Sequence, residues 1–249
     1  MIHRYRIFED QDSFRDAGCS VIYTMYRKAL RDHGSFHLVL TGGKTCVGIY
    51  RTLTEQKWAG LMNWRRVHIW WGDERMVSPD HINSNYNTAW THLLSHVPVR
   101  EKRVHRIVGE SENAEAAALQ YEEDIRRVFR KQRELPVFDL VLLGIGSDGH
   151  TASLFPGDDF NRGSHLALGV PTTSVKPKLP RVTLSLDVIN NAKSVLFISG
   201  TKGKRRVLSS LLKGSLHGIG NKTYPAGLVH PRNECLWHIF NDGDGDIRI

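Results

Sequence analysis

The sequence predicts an α/β fold in which helices cover both faces of a largely parallel sheet. Short, nearly continuous apolar runs alternate along the chain with longer segments of helical periodicity, and this alternation is typical of parallel sheets. The 249 residues contain no repeat, no low-complexity segment and no linker rich in Pro, Ser or Gly. We therefore expect a single domain that extends over residues 1–249.

Six apolar segments are predicted as strands because each is too short to form a buried helix. The segment FHLVLT ends at a Gly-Gly pair, which is a typical end of a strand. The predicted strands cover 3–8, 36–41, 67–71, 137–143, 194–199 and 235–240. A further strand is expected after Pro180, where the sequence continues as RVTLSL.

Helical periodicity characterises the segments between the strands. The clearest helix is predicted over 114–130, where the apolar residues share one face and charged residues occupy the other. A long helix is expected over 13–32 and a shorter one near 83–94. The polar, glycine-containing stretches 157–165 and 213–225 are predicted as long loops.

The bulk properties restrict the class of protein. No segment approaches the ~18 apolar residues of a membrane helix, and the N-terminus lacks the apolar core of a signal peptide, so a soluble cytoplasmic protein is expected. Cys19, Cys46 and Cys235 are odd in number and widely spaced, which favours buried thiols over disulfides or a zinc site. The net charge of +8 fits a nucleic acid, an anionic lipid or a small anionic substrate, but solubility alone also explains such dispersed charges.

Three polar loops follow predicted strands. They are TGGKT (41–45), GDERMVSPDHINSN (72–85) and GIGSDGH (144–150). Open parallel sheets bind ligands beyond the carboxyl ends of their strands, so three such loops at one edge indicate a binding site there.

The first loop has the composition of an anion site. Gly42 and Gly43 let the backbone approach a ligand, and a helix that begins near Lys44 would offer free N–H groups and the positive end of its dipole. Lys44 and the hydroxyl of Thr45 would complete the pocket. A plain strand-to-helix turn with a surface lysine explains the same residues equally well.

The second loop places an acid and a guanidinium at a strand end. Asp73 and Arg75 can face one cleft, and Arg75 presents a bidentate fork for carboxylate or phosphate. Taken alone, these residues are better explained by a structural ion pair between Arg75 and either Asp73 or Glu74.

The third loop has the glycine spacing G-x-G-x-x-G of a dinucleotide-binding turn. Such a turn opens a full helix and is followed about 20 residues later by an acid. Here Pro156 limits any helix to about two turns, and 165–172 contains no acid, which argues against dinucleotide binding. We interpret Asp148 and His150 as functional side chains. His150 is expected at the start of a short helix, whose dipole favours the neutral imidazole that a general base requires. A structural histidine that caps the turn is an equal alternative.

Two later basic residues also fit an anion site. Arg181 begins the strand expected after Pro180, and Lys204 follows the strand 194–199 within the cluster KGKRR. No aromatic or repeated basic stripe accompanies this cluster, so we expect neither a nucleic acid nor a membrane as partner. No spacing typical of a catalytic metal site occurs, and no metal or cofactor is expected.

Five blocks of the sequence resemble the 6-phosphogluconolactonases, which share a superfamily with the glucosamine-6-phosphate isomerases and deaminases. The blocks are LTGGKT (40–45), WWGDERMVSPDHINSNYN (70–87), DLVLLGIGSDGHTASLFPG (139–157), LPRVTLSLDVINNAKSVLFISG (179–200) and YPAGLVHPRNECLWHI (224–239). They cover nearly the whole chain in order, and DGHTASLFPG is the most specific part. The resemblance implies a three-layer α/β/α fold with a mainly parallel, Rossmann-like sheet. It also implies metal-free hydrolysis of 6-phospho-D-glucono-1,5-lactone to 6-phosphogluconate, a step of the oxidative pentose phosphate pathway.

The resemblance further implies roles for the catalytic candidates. His150 is expected to activate water for attack on the lactone carbonyl. Asp73 is expected to orient His150 or a sugar hydroxyl, with Asp148 as the other candidate acid. Arg75 or backbone N–H groups of the glycine turn would stabilise the oxyanion.

The phosphate of the substrate would be bound by the glycine loop and the later basic residues. The residues implied are Gly42, Gly43, Lys44, Thr45, Arg181 and Lys204. Lys44 and Cys46 depart from the pattern, because relatives usually carry Ser and Pro at these positions.

Two other functions are alternatives. In the deaminases a glutamate that helps to open the sugar ring stands at the position of Phe155, so Phe155 favours hydrolysis. A phosphosugar-sensing domain would use the same pocket without turnover, but a sensor has no need of a base such as His150. A small sugar phosphate lactone is the expected partner, and the protein is expected to be a monomer or a dimer.

Overall fold

The computed structural model describes residues 2–130, 134–158, 165–172, 175–216 and 223–243. The strands in these ranges are β1 (Ile2–Phe8), β2 (Phe36–Leu40), β3 (Val67–Trp71), β4 (Asp73–Arg75), β5 (Leu140–Leu143), β6 (Ala167–Val170), β7 (Arg181–Leu184), β8 (Ser194–Gly200) and β9 (Glu234–Phe240). The α-helices are α1 (Gln11–His33), α2 (Lys44–Thr54), α3 (Gln56–Ala59), α4 (Asn85–His92), α5 (Ala114–Phe129), α6 (Leu186–Asn190) and α7 (Arg205–Leu216). Short 3₁₀ turns lie at Trp64–Arg66, Leu94–His96, Glu101–Arg103 and Pro225–Leu228.

The main sheet is entirely parallel and has the strand order β1-β9-β8-β5-β2-β3. With this strand order, the right-handed crossovers that parallel strands adopt place α1 and α2 on one face and α5 and α7 on the other. Every residue of β5 and β8 is buried, as expected for strands that are covered on both sides. The predicted fold class, a three-layer α/β/α arrangement with a mainly parallel, Rossmann-like sheet, is confirmed.

The strand order reverses between β2 and β5. From β2 the chain moves outward to β3, then returns to the other side of β2 to form β5, β8 and β9. The connecting segments therefore diverge at this point and leave a crevice at the carboxyl ends of β2 and β5. The loops 41–45 and 144–150 border this crevice.

Two buried tyrosines fix the strand ends beside the crevice. The Tyr50 hydroxyl donates to the carbonyl of Thr41 at 2.6 Å and accepts from its N–H at 3.0 Å. The Tyr121 hydroxyl makes the same pair of bonds with the backbone of Trp71, both at 3.0 Å. Burial raises the pKa of both tyrosines, so the hydroxyls stay protonated and can donate.

A second, antiparallel sheet with the order β4-β7-β6 was not predicted. The segment 73–75 was expected to be part of a loop, but it forms β4 and pairs with β7. Strands of three or four residues are too short to show a periodic pattern, so sequence alone indicated only β7. This sheet brings Arg75 directly opposite Arg181.

Other boundaries also differ from the predictions. The strand β5 begins at Leu140 rather than at 137. The N–H of His37 donates to the Asp139 carboxylate at 2.8 Å. In a continuous strand that N–H would donate to a backbone carbonyl, so the side-chain bond ends the ladder here. Helix α7 continues to Leu216, so the predicted loop 213–225 is wrong for its first four residues. The remainder of that loop lies partly outside the described residues, as does most of 157–165.

Two further expectations can be compared with the structure. All three cysteines are free and buried, as predicted. In the part of the chain that the structure describes, no helix is long and apolar enough to cross a membrane.

The buried histidines predict a loss of stability in mild acid. Burial and the nearby charge of Arg6 lower the pKa of His238 to about 4, and burial lowers the pKa of His68 to about 4 as well. The unfolded chain binds these protons near the ordinary pKa of about 6.5. The free energy of unfolding should therefore fall as the pH drops from about 6.5 towards 4, by on the order of 1 kcal/mol for His238 alone at pH 5.

Urea unfolding at pH 7.5 and pH 5 measures this effect. His238→Gln should reduce the difference between the two pH values, and His81→Gln, at an exposed position, should leave it unchanged. Equal unfolding free energies of the wild-type protein at both pH values would contradict the prediction.

Candidate active site

A cavity of about 170 Å³ lies at the reversal of strand order. Nine of the ten residues predicted for the site line it: Gly42, Gly43, Lys44, Thr45, Asp73, Arg75, His150, Arg181 and Lys204. The tenth, Asp148, contacts His150 from the side. The sequence interpretation missed Thr41, Cys46, Gly144, Ile145, Ala152 and Ile198, which also line the cavity. Thr41, Gly144 and Ile145 directly follow β2 and β5, so their strand-end positions were the signal that could have identified them.

His150 and Asp148 form a hydrogen-bonded pair in the turn after β5. The distance from His150 Nδ1 to Asp148 Oδ1 is 2.6 Å. A carboxylate only accepts hydrogen bonds, so Nδ1 of the neutral imidazole carries the proton and Nε2 retains its lone pair. The His150 side chain is 19% exposed and lines the cavity, so water can reach this lone pair.

The glycines of the turn make room for this pair. A Cβ at Gly146 would lie 2.1 Å from His150 Nδ1, and Gly149 has a φ of 84°, which favours glycine. The Gly146 N–H donates to the His150 carbonyl at 2.9 Å. The glycine pattern therefore shapes a turn around a side-chain pair.

Residues 151–158, the described part of the segment after His150, form no helix. Thr151 and Leu154 instead exchange backbone hydrogen bonds in a tight turn that continues to Asp158. The expected helix was wrong because β5 leads into successive turns, which place residues 151–155 beside β7. The predicted helix dipole is therefore absent from the described residues after His150, and its partner Asp148 sets the tautomer.

Two arginines face each other across β4 and β7 without a carboxylate between them. Arg75 Nη1 donates to the carbonyl of Asn83 at 2.9 Å, and Arg181 Nη2 donates to that of Pro177 at 3.0 Å. In the described ranges, Nε of each arginine is buried without a hydrogen-bond partner, and no acid pairs with the Arg75 guanidinium. The suggested ion pair of Arg75 with Asp73 or Glu74 is therefore absent from this part of the chain. Burial and the charge of Arg75 lower the pKa of Arg181.

Two lysines and a helix terminus complete the basic wall. Lys204 is half-buried, and burial lowers its pKa while the nearby Asp242 raises it. Helix α2 begins at Lys44, as predicted, and no side chain caps its first turn. Cys46 stabilises this loop, because its Sγ donates to the carbonyls of Thr41 at 3.2 Å and Gly43 at 2.9 Å.

Asp73 is buried beside the cavity but does not contact His150. Its Oδ2 accepts from Ser153 Oγ at 2.7 Å, and its Oδ1 accepts from Asn85 Nδ2 at 3.1 Å. The contact with His150 belongs to Asp148 instead. The expected role of Asp73 in orienting His150 therefore has no hydrogen bond to support it in the described residues, and its role towards a ligand stays a prediction.

Glu74 has a structural role. Side chains alternate across a strand, so Asp73 and Arg75 share one side of β4 while Glu74 points to the other. The Glu74 carboxylate accepts from the N–H groups of Asn85 and Tyr86, both at 2.7 Å, and from Ser84 Oγ at 3.0 Å. Glu74 thereby anchors the start of α4 and leaves its two neighbours free to face the cavity.

The charged side chains around the cavity are mostly basic. Among the described residues that line it, Lys44, Arg75, Arg181 and Lys204 outnumber the one acid, Asp73. This balance fits an anionic ligand. Among the described residues, no three His, Cys, Asp or Glu side chains are grouped as metal ligands, and a metal-independent reaction stays a prediction.

The chain is similar in sequence and in fold to known proteins. The family model described as glucosamine-6-phosphate isomerases/6-phosphogluconolactonase matches residues 9–237. The chain is 32% identical over 244 residues to a 6-phosphogluconolactonase of Nostoc sp., and the match covers 98% of both chains. The crystal structure of 6-phosphogluconolactonase from Thermotoga maritima is similar with a TM-score of 0.81 and 29% identity, over 96% of this chain and 100% of that one.

A monomeric glucosamine-6-phosphate deaminase has a similar fold. The TM-score is 0.78 over 95% of this chain and 97% of that one, at 18% identity. Overall fold therefore does not separate hydrolysis from deamination, and the site residues must do so.

Proposed function

Because this chain belongs to the glucosamine-6-phosphate isomerase/6-phosphogluconolactonase family, we propose that it is a 6-phosphogluconolactonase. It hydrolyses 6-phospho-D-glucono-1,5-lactone to 6-phospho-D-gluconate without a metal or a cofactor. A cytoplasmic location and a monomeric or dimeric state are part of the same proposal.

The observation that carries this proposal is the combination of a base and several cations in one cavity. His150, oriented by Asp148, supplies a lone pair at Nε2. Arg181, Lys204 and the glycine loop 41–45 supply positive charge and free donors in the same cavity. A phosphorylated lactone carries the two groups that this arrangement suits, an electrophilic carbonyl and a phosphate dianion.

The reaction follows from these positions. His150 Nε2 removes a proton from water while the water oxygen bonds to C1 of the lactone. The tetrahedral intermediate collapses by breaking the bond between C1 and the ring oxygen, and His150 returns the proton to that oxygen. One water is added, and Asp148 stabilises the imidazolium that exists between the two proton transfers.

Arg75 is the favoured donor to the oxyanion. The N–H groups of Gly146 and Gly149 already donate within the turn, so they are not free to bind a ligand. Arg75 lines the cavity and has an unpartnered Nε. A buried, preoriented donor of this kind stabilises developing negative charge without reorganisation.

The alternatives lack support from the side chains. The apolar ring of Phe155 lies 4.8 Å from the His150 ring, where a deaminase would require its glutamate. A sensor that only binds phosphosugars would not require the 2.6 Å contact between His150 and Asp148.

Replacement of the base tests the mechanism. His150→Ala should lower kcat for freshly prepared 6-phosphogluconolactone by roughly 10²- to 10⁴-fold, because a positioned general base contributes about that factor. Ser147→Ala is the matched control, since Ser147 is exposed in the same turn and should retain full activity. A rate for His150→Ala close to that of the wild-type protein, after subtraction of uncatalysed opening, would show that His150 is not the base.

Ammonia release separates the two reactions of the family. The wild-type protein should release no ammonia from glucosamine 6-phosphate, because Phe155 offers no carboxylate for ring opening. A coupled assay at the enzyme concentration that hydrolyses the lactone measures this. Steady ammonia production would contradict the assignment to hydrolysis.

A further inference from the structure

Phe155 lies between the base and the most buried cation of the cavity. Its ring centroid is 4.8 Å from that of His150, and the two rings are inclined by 45°. The guanidinium carbon of Arg181 lies 5.5 Å from the same centroid, within the range of a cation–π interaction. Phe155 and Arg181 are 6% and 2% exposed, so little water competes with this contact.

The turn that carries Phe155 is attached to β7, the strand that carries Arg181. Ser153 N–H donates to Thr183 Oγ1 at 3.3 Å, two residues from the contact between Phe155 and Arg181. Residues two apart on a strand face the same side, so the turn follows one side of β7. The same turn begins at His150, and Ser153 lies between His150 and Phe155 in the chain.

We propose that Phe155 is a positioning residue that sets the separation between His150 and Arg181. The inference rests on the proposed function and specifies its substrate class. The protein would select lactones whose anionic group lies at a fixed distance from the reacting carbonyl. Phe155 touches neither reacting atom and acts through the two side chains that it contacts.

Variants of Phe155 test this role. Phe155→Leu keeps an apolar side chain but removes the ring, and it should weaken binding of inorganic phosphate roughly three- to tenfold, the range expected when a cation–π contact is lost. The KM for the phosphorylated lactone should rise by a similar factor, and kcat should fall because His150 loses its packing partner. Phe155→Tyr retains the ring and should restore phosphate affinity and most of kcat.

Phe138→Leu is the matched control, because Phe138 is fully buried in the core among other aromatic rings and does not line the cavity. It should lower Tm as much as Phe155→Leu does, with phosphate affinity and kcat unchanged. If Phe155→Leu lowers Tm in the same way but leaves phosphate affinity at the wild-type value, Phe155 only fills space and the inference is wrong.

Calorimetric titration with phosphate distinguishes failure of the inference from failure of the proposed function. A wild-type protein that binds phosphate but hydrolyses no lactone would refute the proposed function, while weaker phosphate binding by Phe155→Leu would still support the positioning role. Unchanged phosphate binding by Phe155→Leu, or no phosphate binding by the wild-type protein, would overturn the positioning role whatever the lactone assay shows.

Discussion

Parallel strands direct all their carboxyl ends to one edge of the sheet, and here the strand order reverses between β2 and β5. The loops after these two strands therefore diverge around a crevice, and functional groups from distant parts of the sequence meet there. Tyr50 and Tyr121 hold the strand ends next to the crevice through paired bonds to the backbone. The glycine loop 41–45 begins at the position that Tyr50 fixes, and the segment 72–75 follows the strand end that Tyr121 fixes.

The small antiparallel sheet contributes two arginines to the site. It places Arg75 opposite Arg181, although like charges that face each other across strands destabilise a sheet. Each guanidinium also retains a buried Nε without a partner in the described residues. Such an arrangement of two like charges with unpaired buried donors is unfavourable in the absence of an anion. Glu74 helps to maintain it, because its bonds to the start of α4 hold β4 in place.

Sequence could predict the elements with a recognisable apolar pattern and the polar loops that directly follow a strand. Apolar runs identified the six strands of the main sheet, and the polar loops after three of these strands identified seven residues that line one cavity. Arg181 and Lys204, which line the same cavity, were expected from later basic segments and from the family resemblance. The antiparallel sheet could not be predicted, because β4, β6 and β7 are too short for periodicity and exist through pairing between distant segments.

The roles of neighbouring acids also depended on tertiary structure. Side chains alternate along β4, so Asp73 faces the cavity and Glu74 faces the start of α4. This alternation could not be predicted, because a loop was expected where the strand lies. The expected helix after His150 was wrong for a related reason, since contacts of residues 151–155 with β7 override the local pattern. Those same contacts bring Phe155 between His150 and Arg181, which no local signal indicates.

In the proposed reaction, one cavity binds the phosphate at its basic wall while His150 reaches the carbonyl carbon. A crystal structure of the protein with 6-phosphogluconate tests this most directly. We expect the phosphate within hydrogen-bonding distance of Arg181 and Lys204, with the product carboxylate beside Nε2 of His150. A phosphate bound outside this cavity, or bound against His150 with the carboxylate at the arginines, would contradict it.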